Sequence, residues 1–134
     1  MLFRIDGQPK GKGRPRFRKN GPTYTPGETL TYENLIAWEY KQAGGKLLNR
    51  NVFISINAFY KIPKSITKKK REMIEKGIVR PTKKPDIDNV IKVVLDALNG
   101  VAFRDDTQVI SVNAMKHYSD DPCVMVEIWE EESF

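Results

Sequence analysis

The stretch Asp86–Asn99 constrains the fold more than any other part of the chain. Ile87, Val90, Ile91, Val94, Leu95 and Leu98 recur at three- and four-residue steps and lay one apolar face along a helix. Asp86 or Asp88 can cap its start, and Asn99-Gly100 supplies a left-handed terminator. A helix with one such face has to bury it, so the remaining segments must provide a complementary surface.

That surface reads as a sheet. Val52, Ile54, Ile56, Ala58 and Tyr60 alternate with more polar residues, predicting a strand over Val52–Tyr60. Residues 2–6 form a short strand by the same pattern. Gln108–Tyr118 and Pro122–Trp129 form two more, joined across the turn-forming Ser119-Asp120-Asp121. Glu28–Ala43 is a second helix, with Leu30, Ile36 and Trp38 among its apolar residues and Gly44-Gly45 ending it. Trp38 is expected as a core anchor rather than a platform for base stacking. Lys64–Gly77 is a short basic helix entered at Pro63, and Pro81 and Pro85 bracket a stiff connector. Within the Gly-, Pro- and Arg-rich segment 7–26, Asn20-Gly21 is a hairpin signal. Arg16–Lys19 and Thr23–Thr25 then form either a small ribbon able to straddle a phosphate backbone or an irregular surface arm. The expected fold is α+β, a single small domain with a mixed or mostly antiparallel sheet and helices packed on one face.

A chain of 134 residues suits one hydrophobic core. Its lone cysteine, Cys123, excludes an internal disulfide and a cysteine-built zinc cluster, and reads as a small strand side chain. No run approaches the ~20 apolar residues of a membrane span. The opening Met1-Leu2-Phe3-Arg4-Ile5-Asp6 has no signal-peptide core, so a cytoplasmic location without membrane contact is expected.

Net charge is +6, but its distribution is more telling. Residues 1–20 carry seven Lys/Arg against one acid, and residues 61–84 carry ten against two. Residues 85–134 reverse this, with eleven acids and three bases. Two basic segments of this kind attract a polyanion by counterion release. Lys10, Lys12, Arg14, Arg16 and Arg18 in the first, and Lys68, Lys69, Lys70, Arg71, Lys83 and Lys84 in the second, are the candidate nucleic-acid contacts.

Against this basic surface stands an acidic set. Asp86 and Asp88 flank Ile87 at an extended-to-helix junction, and Asp105-Asp106 follow the helix. Hard oxygen ligands with open water positions suit Mg²⁺. Taken singly, each acid has a structural alternative: Asp86 and Asp88 as caps, Asp105-Asp106 as a turn. Lys92, four residues from both Asp88 and Asp96, is either part of an i,i+4 charge ladder or a cation for transition-state charge. A 14-residue helix is about 21 Å long. One strand–helix unit therefore cannot close the site: either the chain returns along the helix before Asp106, or a second subunit contributes. His117, the only histidine, offers weak support for acid–base or zinc chemistry.

Lys84-Pro85-Asp86-Ile87-Asp88-Asn89 with Lys92, Asp96-Ala97-Leu98 and Phe103-Arg104-Asp105-Asp106-Thr107-Gln108-Val109 closely resembles the RusA family of Holliday junction resolvases. Pro9-Lys10-Gly11-Lys12-Gly13-Arg14-Pro15-Arg16-Phe17 with Thr23-Tyr24-Thr25-Pro26 is similar to its bacterial and prophage branch. The resemblance is dense over residues 81–112. It divides the chain into a basic N-terminal strand and arm (1–26), a basic helix and connector (61–84) and a metal-site motif (85–109). It implies metal ligation by Asp86, Asp88 and Asp106, with Asp105 a further candidate, and a catalytic Lys92. It also implies Mg²⁺ dependence, with Mn²⁺ able to substitute and no small-molecule cofactor. The partner implied is branched DNA, a four-way junction nicked in a paired, symmetric way by a homodimer. Two alternatives stand beside it: a metal-dependent nuclease for other branched or flap DNA, and a non-catalytic basic nucleic-acid-binding module. The acids separate these, because a pure binder gains nothing from four aspartates beside its phosphate path.

Overall fold

The computed structural model describes residues 1–13, 16–18, 21–24 and 27–132. Its framework is a four-stranded sheet of β1 (Leu2–Asp6), β4 (Val52–Lys61), β5 (Val109–Ser119) and β6 (Cys123–Glu130), in the order β1-β6-β4-β5. The β1–β6 and β4–β6 pairings are antiparallel and β4–β5 is parallel, so the sheet is mixed. A separate ribbon pairs β2 (Arg16–Arg18) with β3 (Gly21–Tyr24), which decides for the ribbon over the irregular arm. The helices are α1 (Gly27–Gln42), α2 (Lys68–Glu75) and α3 (Ile87–Leu98).

Alternation in β4 divides the two faces of the sheet. Val52, Ile54, Ile56, Ala58 and Tyr60 are buried, while Phe53, Ser55, Asn57 and Phe59 stay half-buried. The buried set joins Val124, Val126 and Ile128 of β6 under Tyr32, Ile36 and Tyr40 of α1 and Val90, Val93, Val94, Ala97 and Leu98 of α3. The helix-covered face is thus the core. Complete burial of one Leu or Val stabilises by about 1.5–3 kcal/mol, so a contiguous cluster of this kind accounts for the fold's cohesion.

Two burial details depart from the sequence reading, and the strand order, which it left open, is fixed by the structure. Trp38 is not a core anchor: it is 55% exposed, because Tyr32, Ile36 and Tyr40 recur every fourth residue and turn position 38 to solvent. On α3 the buried stripe is rotated, so that Val93 and Ala97 go in while Ile87, Ile91 and Leu95 lie at its edge. The strands either side of Ser119-Asp120-Asp121 do not pair with each other, since β4, the strand buried along its whole inner face, lies between them. The parallel β4–β5 pairing requires a crossover, and the chain uses it to carry α2 and α3.

Helix α2 begins later than its sequence suggests. Thr67 caps it by accepting a 3.2 Å hydrogen bond from the Lys70 amide. Arg71 ties it to the β5–β6 turn through a 3.4 Å ion pair with Asp120. Cys123 is buried in β6, as expected. Among the described residues, no helix is long and apolar enough to cross a membrane.

Candidate metal and DNA site

The segment ahead of α3 is braced from two sides. From the sheet, the buried Tyr60 hydroxyl donates a 2.6 Å hydrogen bond to the Pro85 carbonyl. Burial, reinforced by the nearby Asp86 carboxylate, pushes the Tyr60 phenol up to about 12, so it remains a donor. From the other side comes the N-terminal strand's extension, where the Lys12 amide donates to the Asn89 carbonyl at 3.1 Å. Gly11 sits so close that a Cβ there would lie 2.8 Å from the Pro85 Cβ and 3.0 Å from the Asn89 Cβ. Only glycine allows that approach.

Asp86 occupies the N-cap position of α3, yet its side chain makes no capping hydrogen bond. The Asn89 and Val90 amides instead donate to its backbone carbonyl, both at 3.1 Å. The structural alternative of a capping carboxylate therefore fails for Asp86, whose oxygens take no hydrogen-bond partner among the described residues. Asp88 is exposed one residue into the helix, and Lys92 stands 4.0 Å from it on the same face. Asp96, the other end of the supposed ladder, turns to Lys12 at 3.1 Å.

Asp105 and Asp106 lie at the opposite end of α3. Their loop is held by Gln108, whose Oε1 accepts from the Arg104 amide at 2.7 Å and the Asp105 amide at 3.3 Å. Its Nε2 donates to the Leu48 and Arg50 carbonyls at 3.1 and 3.0 Å, fastening the loop to the entrance of β4. The two carboxyls interact strongly. Asp105 is held below the usual carboxylate range by hydrogen bonds from Asp106 and Thr107. Asp106 is raised by Asp105, with Asp96 adding to the repulsion.

One chain therefore presents two separate acid sets. Asp106 lies toward Asp96, which is two helical turns, about 12 Å, beyond Asp88. Among the described residues, no three His, Cys, Asp or Glu side chains are grouped to hold a metal ion. The carboxylates have the hard donor chemistry that Mg²⁺ takes. A single chain nonetheless does not gather Asp86, Asp88 and Asp106 into one site.

The basic residues are more concentrated than their sequence positions suggest. Lys83 and Lys116 converge on the end of the sheet beside Pro85: Lys116 Nζ donates to the Lys83 carbonyl at 2.7 Å and lies 4.9 Å from the Tyr60 ring centre. Lys83 Nζ donates to the Lys61 carbonyl at 3.3 Å. Lys116 is not legible as a candidate in the sequence, because a lone base within an apolar strand gives no signal of its neighbours. Lys68, Lys69, Lys70 and Lys84 are exposed, and Arg71 is half-buried with Asp120 as partner. Lys10 lies 5.8 Å from the Tyr32 ring centre. The Lys12 ammonium is already partnered, with Glu33 at 2.6 Å and Asp96 at 3.1 Å. Arg14 and the side chains of Arg16 and Arg18 lie outside the described residues.

His117 sits on the sheet's other face, stacked on Phe59 with ring centres 4.7 Å apart. It pairs with Asn57 Oδ1 at 2.7 Å and Arg80 at 3.0 Å. Burial, and the Arg80 charge after it, lowers its pKa, which keeps the ring neutral.

Comparison with known proteins agrees with the motif residues. The chain is 37% identical over 136 aligned residues to the uncharacterised protein YqaN of Bacillus subtilis (strain 168), covering 97% of this chain and 96% of that one. The model of the family Endodeoxyribonuclease RusA matches residues 6–129, which include the braced Asp86–Asp88 segment, the Asp105–Asp106 loop and helix α3 between them. The chain belongs to the RusA endodeoxyribonuclease family.

Proposed function

We propose that the protein is a Mg²⁺-dependent endonuclease that resolves four-way DNA junctions by paired, symmetric nicks and acts as a homodimer. Mn²⁺ substitutes for Mg²⁺ in this reading. Membership of an endodeoxyribonuclease family supports nuclease activity on DNA. The observation that carries the reading to this site is Asp86. It holds the N-cap position of α3 without spending its carboxylate on a cap, on a segment braced by Tyr60 and Gly11, next to the cations of Lys83 and Lys116. Carboxylates beside a basic surface reconcile cation binding with polyanion binding, a combination a simple DNA-binding module does not need.

Asp86, Asp88 and Asp106 are the proposed ligands, with Asp105 beside them. Because one chain keeps them apart, the site is complete only when a second copy brings its own Asp106 loop to the Asp86–Asp88 segment. A junction has two-fold symmetry and needs two nicks, so an assembly of two chains with two sites matches the substrate. Lys92, exposed and 4.0 Å from Asp88, is the proposed cation for charge that develops on the phosphate. Lys68–Lys70, Lys83, Lys84 and Lys116 form the proposed phosphate path.

The test is an assay on a synthetic mobile junction, a linear duplex and a single strand, with and without Mg²⁺. The expected result is Mg²⁺-dependent cutting of the junction alone, abolished in Asp86→Asn, Asp88→Asn and Asp106→Asn, with junction binding retained in all three. Equal cutting of duplex and junction, or three variants that cut at the wild-type rate, would refute the reading.

A further inference from the structure

Asp96 sits within the Asp96-Ala97-Leu98 segment that resembles the RusA family, yet it is not among the proposed ligands. Its carboxylate meets the Lys12 ammonium at 3.1 Å, and Glu33 of α1 meets the same ammonium at 2.6 Å. The side chains of Lys12 and Glu33 are only 22% and 15% exposed. A three-way ion pair with two largely sheltered members keeps its geometry, which an exposed surface pair does not. Burial works against the charge on Lys12, but the hydrogen bonds to Glu33 and Asp96 outweigh it and raise the pKa, so the ammonium persists.

The backbone on either side of this ammonium touches the metal-site segment. Gly11 packs where no Cβ fits, against Pro85 and Asn89. The Lys12 amide donates to the Asn89 carbonyl at 3.1 Å. The Gly13 amide donates to the hydroxyl of Thr29, buried in the first turn of α1, at 3.0 Å. Three consecutive residues thus cross from α3 to α1, each with its own attachment. Asn89 and Asp96 are seven residues apart and share one side of α3. Lys12 spans them, its amide at the first turn and its ammonium near the last.

We propose that Lys12 is a positioning residue of the metal site and not a phosphate contact: clamped between Glu33 and Asp96, it holds the Gly11–Gly13 arm against the first turn of α3 and so fixes Asp86 and Asp88. The proposal rests on the junction-nuclease reading. A helix start is ordinarily secured by a side-chain cap, and Asp86 supplies none. The arm secures the turn in its place, which leaves the Asp86 carboxylate free for a cation. A lysine already matched by two carboxylates also releases no counterion when DNA arrives.

The test is amide hydrogen exchange on the full chain, without metal or DNA. In Lys12→Met, the Asn89 and Val90 amides, which both donate to the Asp86 carbonyl, should exchange about tenfold faster or more, while those of Leu95–Leu98 and β4 keep their rates. Lys12→Arg should retain most of the protection. Glu33→Gln/Asp96→Asn removes the clamp from the other side, leaves Lys12 in place and should loosen the same two amides. In parallel, the salt dependence of junction binding should be unchanged in Lys12→Met, where loss of a phosphate contact would lower the log–log slope by roughly 0.9. The Mg²⁺ concentration for half-maximal cutting should rise several-fold, with the rate at saturating Mg²⁺ largely recovered. A lowered slope with unchanged exchange would make Lys12 a phosphate contact and overturn the proposal. Uniformly faster exchange over the whole chain, or a normal first turn in Glu33→Gln/Asp96→Asn, would overturn it too. Because exchange needs neither metal nor DNA, local loosening in a protein that cuts no junction would sink the nuclease reading and leave the clamp standing. Junction cutting with unchanged exchange and unchanged Mg²⁺ dependence in Lys12→Met would do the opposite.

Discussion

The Tyr60 hydroxyl reaches from the core face of β4 to the Pro85 carbonyl, 2.6 Å away, and so ties the residue immediately before Asp86 to the buried face of an inner strand of the sheet. Tyr60→Phe keeps the ring and removes only this tether. Losing the bond to the half-buried Pro85 carbonyl costs about 1 kcal/mol of stability. The larger effect should fall on metal dependence, with the Mg²⁺ concentration for half-maximal cutting rising several-fold while the rate at saturating Mg²⁺ largely recovers. A metal titration of Tyr60→Phe checks this. Unchanged half-saturation would make Tyr60 a packing residue only.

Lys92 is exposed and points away from the α3 stripe that packs on the sheet. Lys92→Ala should therefore change stability by less than about 1 kcal/mol. Its single-turnover rate should fall by at least about tenfold, with junction affinity little altered, because its proposed partner charge develops in the transition state. Thermal melts and single-turnover cutting separate the two roles. A folding defect with normal turnover would favour the charge ladder with Asp88.

Lys83 and Lys116 come from segments far apart in sequence yet meet at one end of the sheet, the Lys116 ammonium over Tyr60 and the Lys83 ammonium over Tyr118. If they lie on the phosphate path, Lys83→Ala/Lys116→Ala should weaken junction binding and reduce the log–log salt slope by roughly 0.9 for each phosphate that is no longer neutralised. Fluorescence anisotropy across a salt series measures it. An unchanged slope would move the path toward Lys68–Lys70.

Much of the fold is legible in the sequence, for identifiable reasons. Period-two alternation locates β4, and the three- and four-residue spacing locates α3, because each element buries one face. The Asp86–Asn89 and Asp105–Gln108 motifs identify the family. Strand order is not legible: the turn at Ser119–Asp121 looks the same whether or not β4 separates its two strands. Trp38 misleads because size suggests burial, whereas its position on α1 determines exposure. Lys12 reads as one more base in a basic arm until Glu33 and Asp96 are seen on either side of it. Helix length leaves open whether the chain returns along α3 before Asp106, and the loop held by Gln108 at the entrance of β4 shows that it does not.

The central claim is that each cutting site takes Asp86 and Asp88 from one chain and Asp106 from another, and mixed dimers test it directly. Asp86→Asn and Asp106→Asn proteins are each expected to be inactive alone. When the two are co-expressed and purified together, random pairing makes about half the dimers mixed, and each of these carries one doubly defective and one intact site. On a cruciform plasmid the mixture should regain nicking, about a quarter of the wild-type sites being intact, with single nicks predominating over paired ones. A mixture as inactive as its two parents, in protein shown to contain mixed dimers, would contradict the account.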